Sequence, residues 1–465
     1  MKYLESWELR AEFARRLSVM YGAEVPAYNT LVGVSTEVNR DFFERHGASA
    51  ERFGSISRVT AERHGAIRVG SPREMAQVAR VFAAFGMYPV GFYDLRDASS
   101  SAVPVVSTAF RPVDPEELAR NPFRVFTSML AAEDPRFFTP TLQEELAAFI
   151  GARKLFGEEL LTLADRAAAE KSLGEADAER LLTLATAVFE LSDEPVDLEW
   201  YRRLEAVSAV AADIGGVTTT HINHLTPRVL DIDGLYERMQ SRGITMIDEI
   251  QGPPRWPGPD VLLRQTSFRA LGENRVFRHS DGTVHDGELR VRFGEVEARG
   301  IALTAAGRVL YDDMVAETDR LLADHPHETR VDLARTVWER HLPHTEQDLA
   351  EQGLAFFTFT INEEALSADP VVCAVTLQSL IAAGIVTPEP IVYEDFLPRS
   401  AAGIFQSNLT EKGSKDEGQT GTDYDIDRMS LIVGATVLDP TDLYQRQQDA
   451  SVTALAQRLG VDVTY

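Results

Sequence analysis

The sequence predicts an α+β protein built around a half-open β-barrel, with a large helical insertion and a helical C-terminal region. Three observations lead there. A strand, helix, strand, strand pattern stands near the N-terminus, a similar pattern recurs after residue 216, and Leu, Ala and Glu dominate the stretch between them.

Residues 1–53 read as a helical scaffold, because acidic and basic residues are spaced between apolar ones at helical period. The first barrel unit spans 54–113. In ERHGAIRVG, His64, Ala66 and Arg68 share one parity and Ile67 and Val69 the other, as in a strand with two unlike faces. Ser71, Pro72, Arg73 and Glu74 then spell a capping box with Pro at the first helical position, and the helix stops at Gly86. MYPVGFYDL and VPVVSTAFR follow as two strands rich in aromatic and β-branched residues.

Residues 114–215 form the helical insertion, typified by LQEELAAFIGARKLF and ADAERLLTLATAVFEL. The second barrel unit spans 216–305. HINHLTP reads as a strand, DIDGLYERMQSRG as a helix closing on Gly243, and ITMIDEI and VLLRQTSFRAL as strands, with QTSFR aligning on the earlier STAFR. GELRVRFGEVEARG adds a strand in which Leu289, Val291, Phe293 and Glu295 share a face while Arg290 and Arg292 point the other way. Residues 306–465 are the C-terminal helical region; Thr410–Asp423 reads as a loop able to act as a lid, and a last helix runs from about Thr441 to Leu459.

Composition narrows the function. A chain of 465 residues is long enough for two or more packed units. A formal charge of −26 argues against nucleic acid and anionic membrane surfaces, so an anionic substrate must be met by local Arg residues. The single cysteine, Cys373, sits in the apolar run VVCAV as a small core residue, which leaves no disulfide within one chain. The amphipathic N-terminus is not a signal peptide, and no apolar run is long enough for a bilayer, so a cytoplasmic protein is expected.

An acid on an apolar face needs a partner. If each barrel unit opens with a histidine and the second closes with the inward Glu295, three ligands converge inside the barrel. Two histidines and a carboxylate form the facial triad suited to non-haem Fe(II), and Zn or Mn would also fit. The plain alternatives are a salt bridge for Glu295 and a capping or core role for His64. His221 alternates with His224 along a regular strand, so it is expected to face outward or to support a ligand.

The motifs ERHGAIRVG, GMYPVGFYDL, STAFRP, NPFRVFTS, HINHLTPR, LDID, QGPP, LLRQTSF, RFGEVE, RGIALT, YEDFLP and SAAGIFQSNL resemble the 2-oxoadipate dioxygenase/decarboxylase family from residue 20 to about 410. The resemblance implies a vicinal oxygen chelate-like fold. It further implies an Fe(II) enzyme that converts 2-oxoadipate and O2 to 2-hydroxyglutarate and CO2 in lysine breakdown. On matching positions it implies His64, His224 and Glu295 as metal ligands and Arg68 as a substrate-carboxylate ligand. The FLPRS segment, with Arg399 and Ser400, would bind substrate and close the pocket, but Arg399 stands where the family has a small apolar residue. That departure bears on which 2-oxo acid fits. On an extended strand Arg68 lies about 13 Å beyond His64 at roughly 3.3 Å per residue, within reach of the far carboxylate of a six-carbon diacid, although an ion pair within the protein is the other reading of this Arg. The rival enzyme classes are a related enzyme on another 2-oxo acid and a divalent-metal isomerase or hydrolase without oxygen chemistry.

Overall fold

In the computed structural model the described residues are 2–47, 50, 55–97, 103–290, 292–368, 375–398, 404, 415–416 and 418–464. Val291, Cys373, Arg399, Ser400 and, within the expected lid loop, 410–414 and 417 lie outside the described residues.

Two N-terminal helices, α1 (Ser6–Glu24) and α2 (Pro26–His46), precede β1 (Arg63–Val69). Half of the expected capping box forms next, the Glu74 carboxylate turning to Gly70 rather than to the Ser71 backbone. Ser71 accepts from the Glu74 backbone N–H and Pro72 opens α3 (Pro72–Ala84), while the Glu74 carboxylate accepts from the Gly70 backbone at 2.7 Å. Two strands follow, β2 (Tyr88–Asp94) and β3 (Val105–Arg111). A further strand, β4 (Arg124–Leu130), lies in the stretch read as helical. Its RVFTSML sequence is β-branched and aromatic, and it pairs in parallel with β1, a partner distant in sequence. Helices then occupy Pro140–Ala152, Glu158–Glu170, Glu175–Ala187, Leu198–Glu205 and Ala209–Gly215.

The chain returns as β5 (Ile222–Pro227), antiparallel to β1, and completes a five-stranded mixed sheet in the order β2, β3, β4, β1, β5. One face of this sheet packs on aromatic side chains: Phe110 of β3 stands 5.2 Å from Phe82 of α3, and Phe13 of α1 stacks on Phe85 at 4.5 Å. The register puts His64, Ala66 and Arg68 of β1 beside Phe126 and Ser128 of β4 and Ser107 of β3 on the other face.

The second half departs from its expected strands. The helix Ile232–Ser241 forms, capped by Asp231, but ITMIDEI makes only isolated bridges, Met246 to Phe268 and Gln251 to Gln265. β6 (Leu263–Ser267), β7 (Glu273–Arg278) and β8 (Val284–Leu289) follow, and the single strand expected over GELRVRFGEVEARG ends at Leu289 and resumes as β9 (Glu295–Arg299). Arg292, expected to point outward, is buried between Glu24, at a side-chain separation of 2.5 Å, and Glu273 at 2.8 Å. Two carboxylates drawing in one guanidinium break the alternation that a continuous strand requires. β6 pairs with β9, and β7 with β8 and Val196–Asp197, so the architecture is α+β with mixed sheets.

The chain divides into two units. The first comprises Met1–Gln251, Gln265–Glu297 and Phe396–Leu438 and contains the five-stranded sheet. The second comprises Gly252–Arg264, Ala298–Asp395 and Asp439–Tyr465. It contains helices Ala305–Asp324 and Arg330–His341, the antiparallel pair Phe357–Ile361 with Val386–Pro390, and the helix Pro440–Leu459. Among the described residues, no helix is long and apolar enough to cross a membrane.

Candidate metal centre

In the pairing of β1 with β5, His64 lies opposite Thr226 and Ala66 opposite His224, which puts both histidines on one face, two residues apart along the ladder. Glu295 begins β9. The backbone before it is set by Gly294, where an added Cβ would stand 1.8 Å from the Phe268 ring, so a side chain there would collide with the core. Tyr21 of α1 ties these segments together, its buried hydroxyl lying 3.1 Å from the Asn223 carbonyl and 2.9 Å from that of Phe293.

The side chains of His64, His224 and Glu295 are buried and each offers one donor atom, all within 4.8 Å of one another. His64 Nε2 is 3.8 Å from one Glu295 oxygen, and His224 Nε2 is 3.3 Å from the other. The remaining ring nitrogens face away. His64 Nδ1 is 2.9 Å from a Glu297 oxygen, and His224 Nδ1 is 3.0 Å from the Thr226 hydroxyl. A carboxylate at that position favours a proton on Nδ1, which leaves the Nε2 lone pair facing the cluster.

Burial holds the His224 pKa well below its ordinary value, and the fields of His64 and Arg68 push the same way, so the ring is a neutral donor near pH 7. A metal about 2.1 Å from each donor calls for donors roughly 3 Å apart, and here the two rings stand 3.3 and 3.8 Å from the carboxylate oxygens. The two imidazoles and one carboxylate therefore fit a divalent ion of the Fe(II), Mn or Zn type. Gln265 donates a hydrogen bond to Glu295, fixing the carboxylate. A cavity of about 20 Å³ adjoins the three residues, with apolar walls from Phe126, Phe293, Phe396 and Ile404, room for about one water-sized guest.

Arg68 shares the strand face but does not line that cavity. It is ion paired with Asp213, which also accepts from Asn223 Nδ2 at 3.0 Å and lies 3.4 Å from His221 Nε2. Burial opposes ionisation of Asp213, but its partners, Arg68 and Asn223 among them, hold the carboxyl below its ordinary range. His221 is buried beside Asp213 and does not face outward as one reading of a regular strand has it. The cause is a register shift. Opposite the step from Ala66 to Ile67, β5 advances from His224 to Ile222, leaving Asn223 as an extra residue, so His221 falls on the side of Arg68. Burial lowers the His221 pKa to about 3.

Sequence reasoning missed Glu297, Gln265, Thr226 and Asp213. Glu297 could have been found, since it shares the parity of Glu295 in GEVE and a second acid on an inward face needs its own partner. Asp213 carries no local signal, standing 145 residues from Arg68 in sequence.

The chain matches the family model described as 2-oxoadipate dioxygenase/decarboxylase over residues 13–408. It is 54% identical over 443 residues to a protein from Mycobacterium tuberculosis named 2-oxoadipate dioxygenase/decarboxylase, covering 95% of this chain and 97% of that one. It is 41% identical over 461 residues to a protein of the same name from Pseudomonas putida, covering 97% of each. Among solved structures, it is similar to the hydroxyglutarate synthase from Pseudomonas putida in complex with 2-oxoadipate, with a TM-score of 0.84, 38% identity and coverage of 99% of this chain and 100% of that one.

Proposed function

This chain belongs to the 2-oxoadipate dioxygenase/decarboxylase family, and from that premise we propose that it is an Fe(II) enzyme converting 2-oxoadipate and O2 to 2-hydroxyglutarate and CO2. The observation that carries the reading is the buried convergence of His64, His224 and Glu295 on one sheet face, with each histidine's other nitrogen already engaged. The equation balances with dioxygen as the only oxidant: six carbons enter, five leave in the hydroxy acid and one as CO2. Bound iron supplies the one-electron chemistry that lets dioxygen react with a closed-shell 2-oxo acid.

The protein's share is binding and orientation. His64, His224 and Glu295 would hold the ion, and its remaining positions would serve the 2-oxo acid and dioxygen. Phe126, Phe293 and Phe396 keep water from that side, and the charge of the protein's own donor set is limited to the single carboxylate of Glu295. Arg68 meets the far carboxylate of the diacid, its planar fork matching carboxylate geometry, with Asp213 holding the guanidinium ready. Arg399 and Ser400 complete the substrate end in this reading. The five-stranded sheet and the β6 and β9 pair form the two sides of a half-open barrel of the vicinal oxygen chelate type, in a cytoplasmic enzyme.

The test is anaerobic loading with Fe(II) followed by an oxygen-electrode trace with a panel of 2-oxo acids. The expected result is rapid uptake with 2-oxoadipate, matched one to one by CO2 and 2-hydroxyglutarate. Turnover without oxygen uptake would move the enzyme to the isomerases or hydrolases.

A further inference from the structure

Behind the cluster runs a buried line of charge. The Glu297 carboxylate that faces His64 Nδ1 at 2.9 Å also receives Arg124 at 3.3 Å. Arg124 reaches on to Glu62 at 3.0 Å, and Glu62 receives Arg228 at 2.9 Å. All four side chains are fully buried. Acids and guanidiniums alternate along the line, which sets a carboxylate against the His64 ring with a guanidinium behind it.

His224 is backed differently. Its Nδ1 meets the hydroxyl of Thr226, which can donate or accept and therefore does not dictate which ring nitrogen carries the proton. The carboxylate oxygen 2.9 Å from His64 Nδ1 favours the proton on that nitrogen.

Resting on the reading of His64 as a metal ligand, we propose that Glu297 is a positioning residue that favours the Nδ1–H tautomer of His64 and fixes its ring angle, with Arg124, Glu62 and Arg228 holding that carboxylate in place. The chemistry of Glu297→Gln makes the proposal sharp. An amide has one acceptor oxygen, whereas both His64 and Arg124 need an acceptor from this side chain. If the amide oxygen turns to Arg124, its NH2 faces Nδ1, the proton moves to Nε2 and the lone pair the metal needs is gone. If the oxygen turns to His64, the NH2 meets the guanidinium of Arg124, donor against donor. Either arrangement weakens the metal site although the volume of the side chain is unchanged.

The test titrates Co(II) into metal-free wild type, Glu297→Gln, Glu297→Asp, Thr226→Val and His64→Ala, following the visible cobalt bands, with the melting temperature of each metal-free protein measured alongside. Glu297→Gln is expected to raise the Co(II) dissociation constant roughly 10- to 100-fold, and Thr226→Val to raise it less. Glu297→Asp keeps the charge and withdraws it by one methylene, so it is also expected to weaken binding, and it serves if the amide variant fails to fold. Wild-type Co(II) affinity in both Glu297 variants, whether or not their metal-free melting temperatures fall, would make the residue merely structural and overturn the proposal. The same holds if Thr226→Val weakens binding more than Glu297→Gln. His64→Ala separates the premise: if it binds Co(II) like wild type, the metal-site reading itself has failed.

Discussion

Strand β1 carries His64 near one end and Arg68 near the other, and the two are held on different electrostatic plans. Around His64, two acids and two arginines alternate in a buried line, and one of its carboxylates stands 2.9 Å from the histidine's Nδ1. Near Arg68, Asp213 pairs with the guanidinium and also meets Asn223 and His221. The two ends of β1 therefore differ in how their charge is met: a line of alternating acids and arginines backs His64, whereas the carboxylate paired with Arg68 is shared with an amide and an imidazole.

The largest effect that sharpens this contrast comes from Arg68→Ala. Removing one partner of a desolvated, charge-assisted contact costs about 2 to 5 kcal/mol, which is roughly 30-fold to several thousand-fold in kcat/KM for 2-oxoadipate. A 2-oxo acid with an apolar tail is expected to suffer much less, and Arg68→Lys to recover little. The ratio of the two substrates is the measurement, because it is independent of any loss of folded protein when Asp213 is left without its cation. Equal losses for both substrates would erase the functional distinction between the two ends of β1.

A smaller effect follows from pH. Burial keeps His221 neutral to about pH 3, against the pull of Asp213 and with the help of Arg292, Arg275 and Arg68, whereas the unfolded chain takes up a proton near its ordinary value of 6.5. The unfolded state therefore binds more protons between those values, and stability is full above about pH 6.5 and falls as the pH drops below it. The slope is at most about 1.4 kcal/mol per pH unit for one such group. Urea midpoints of metal-free protein at pH 7.5 and pH 5 are expected to differ in that direction, and His221→Gln to reduce the difference. An unchanged difference in the variant would mean that the Arg68 end is not the neutral setting described.

What the sequence discloses and what it conceals divide along the same lines. The faces of β1 and the Ser71 cap were legible because strand parity and cap chemistry are local. β4 was not, because RVFTSML sits among Leu- and Ala-rich helices and its parallel partner lies some sixty residues earlier, as in His64 with Arg124. In the second half the alternation of GELRVRFGEVEARG misled, since Arg292 turns inward to two acids and Gly294 redirects the chain. The convergence of His64, His224 and Glu295 could be anticipated from parity and resemblance, but the bulge at Asn223 that also turns His221 inward has no signature in HINH. Arg399 and Ser400 lie outside the described residues, so their part in substrate binding stands as a proposal.

The central claim is that His64, His224 and Glu295 hold the metal, and the most direct measurement is anaerobic equilibrium dialysis of Fe(II) against wild type, His64→Ala, His224→Ala, Glu295→Ala and His221→Ala. The expected result is close to one iron per wild-type chain, little or none in the first three variants with turnover abolished, and most of the iron retained in His221→Ala. Full iron in any of the first three, or its loss in His221→Ala alone, would contradict it.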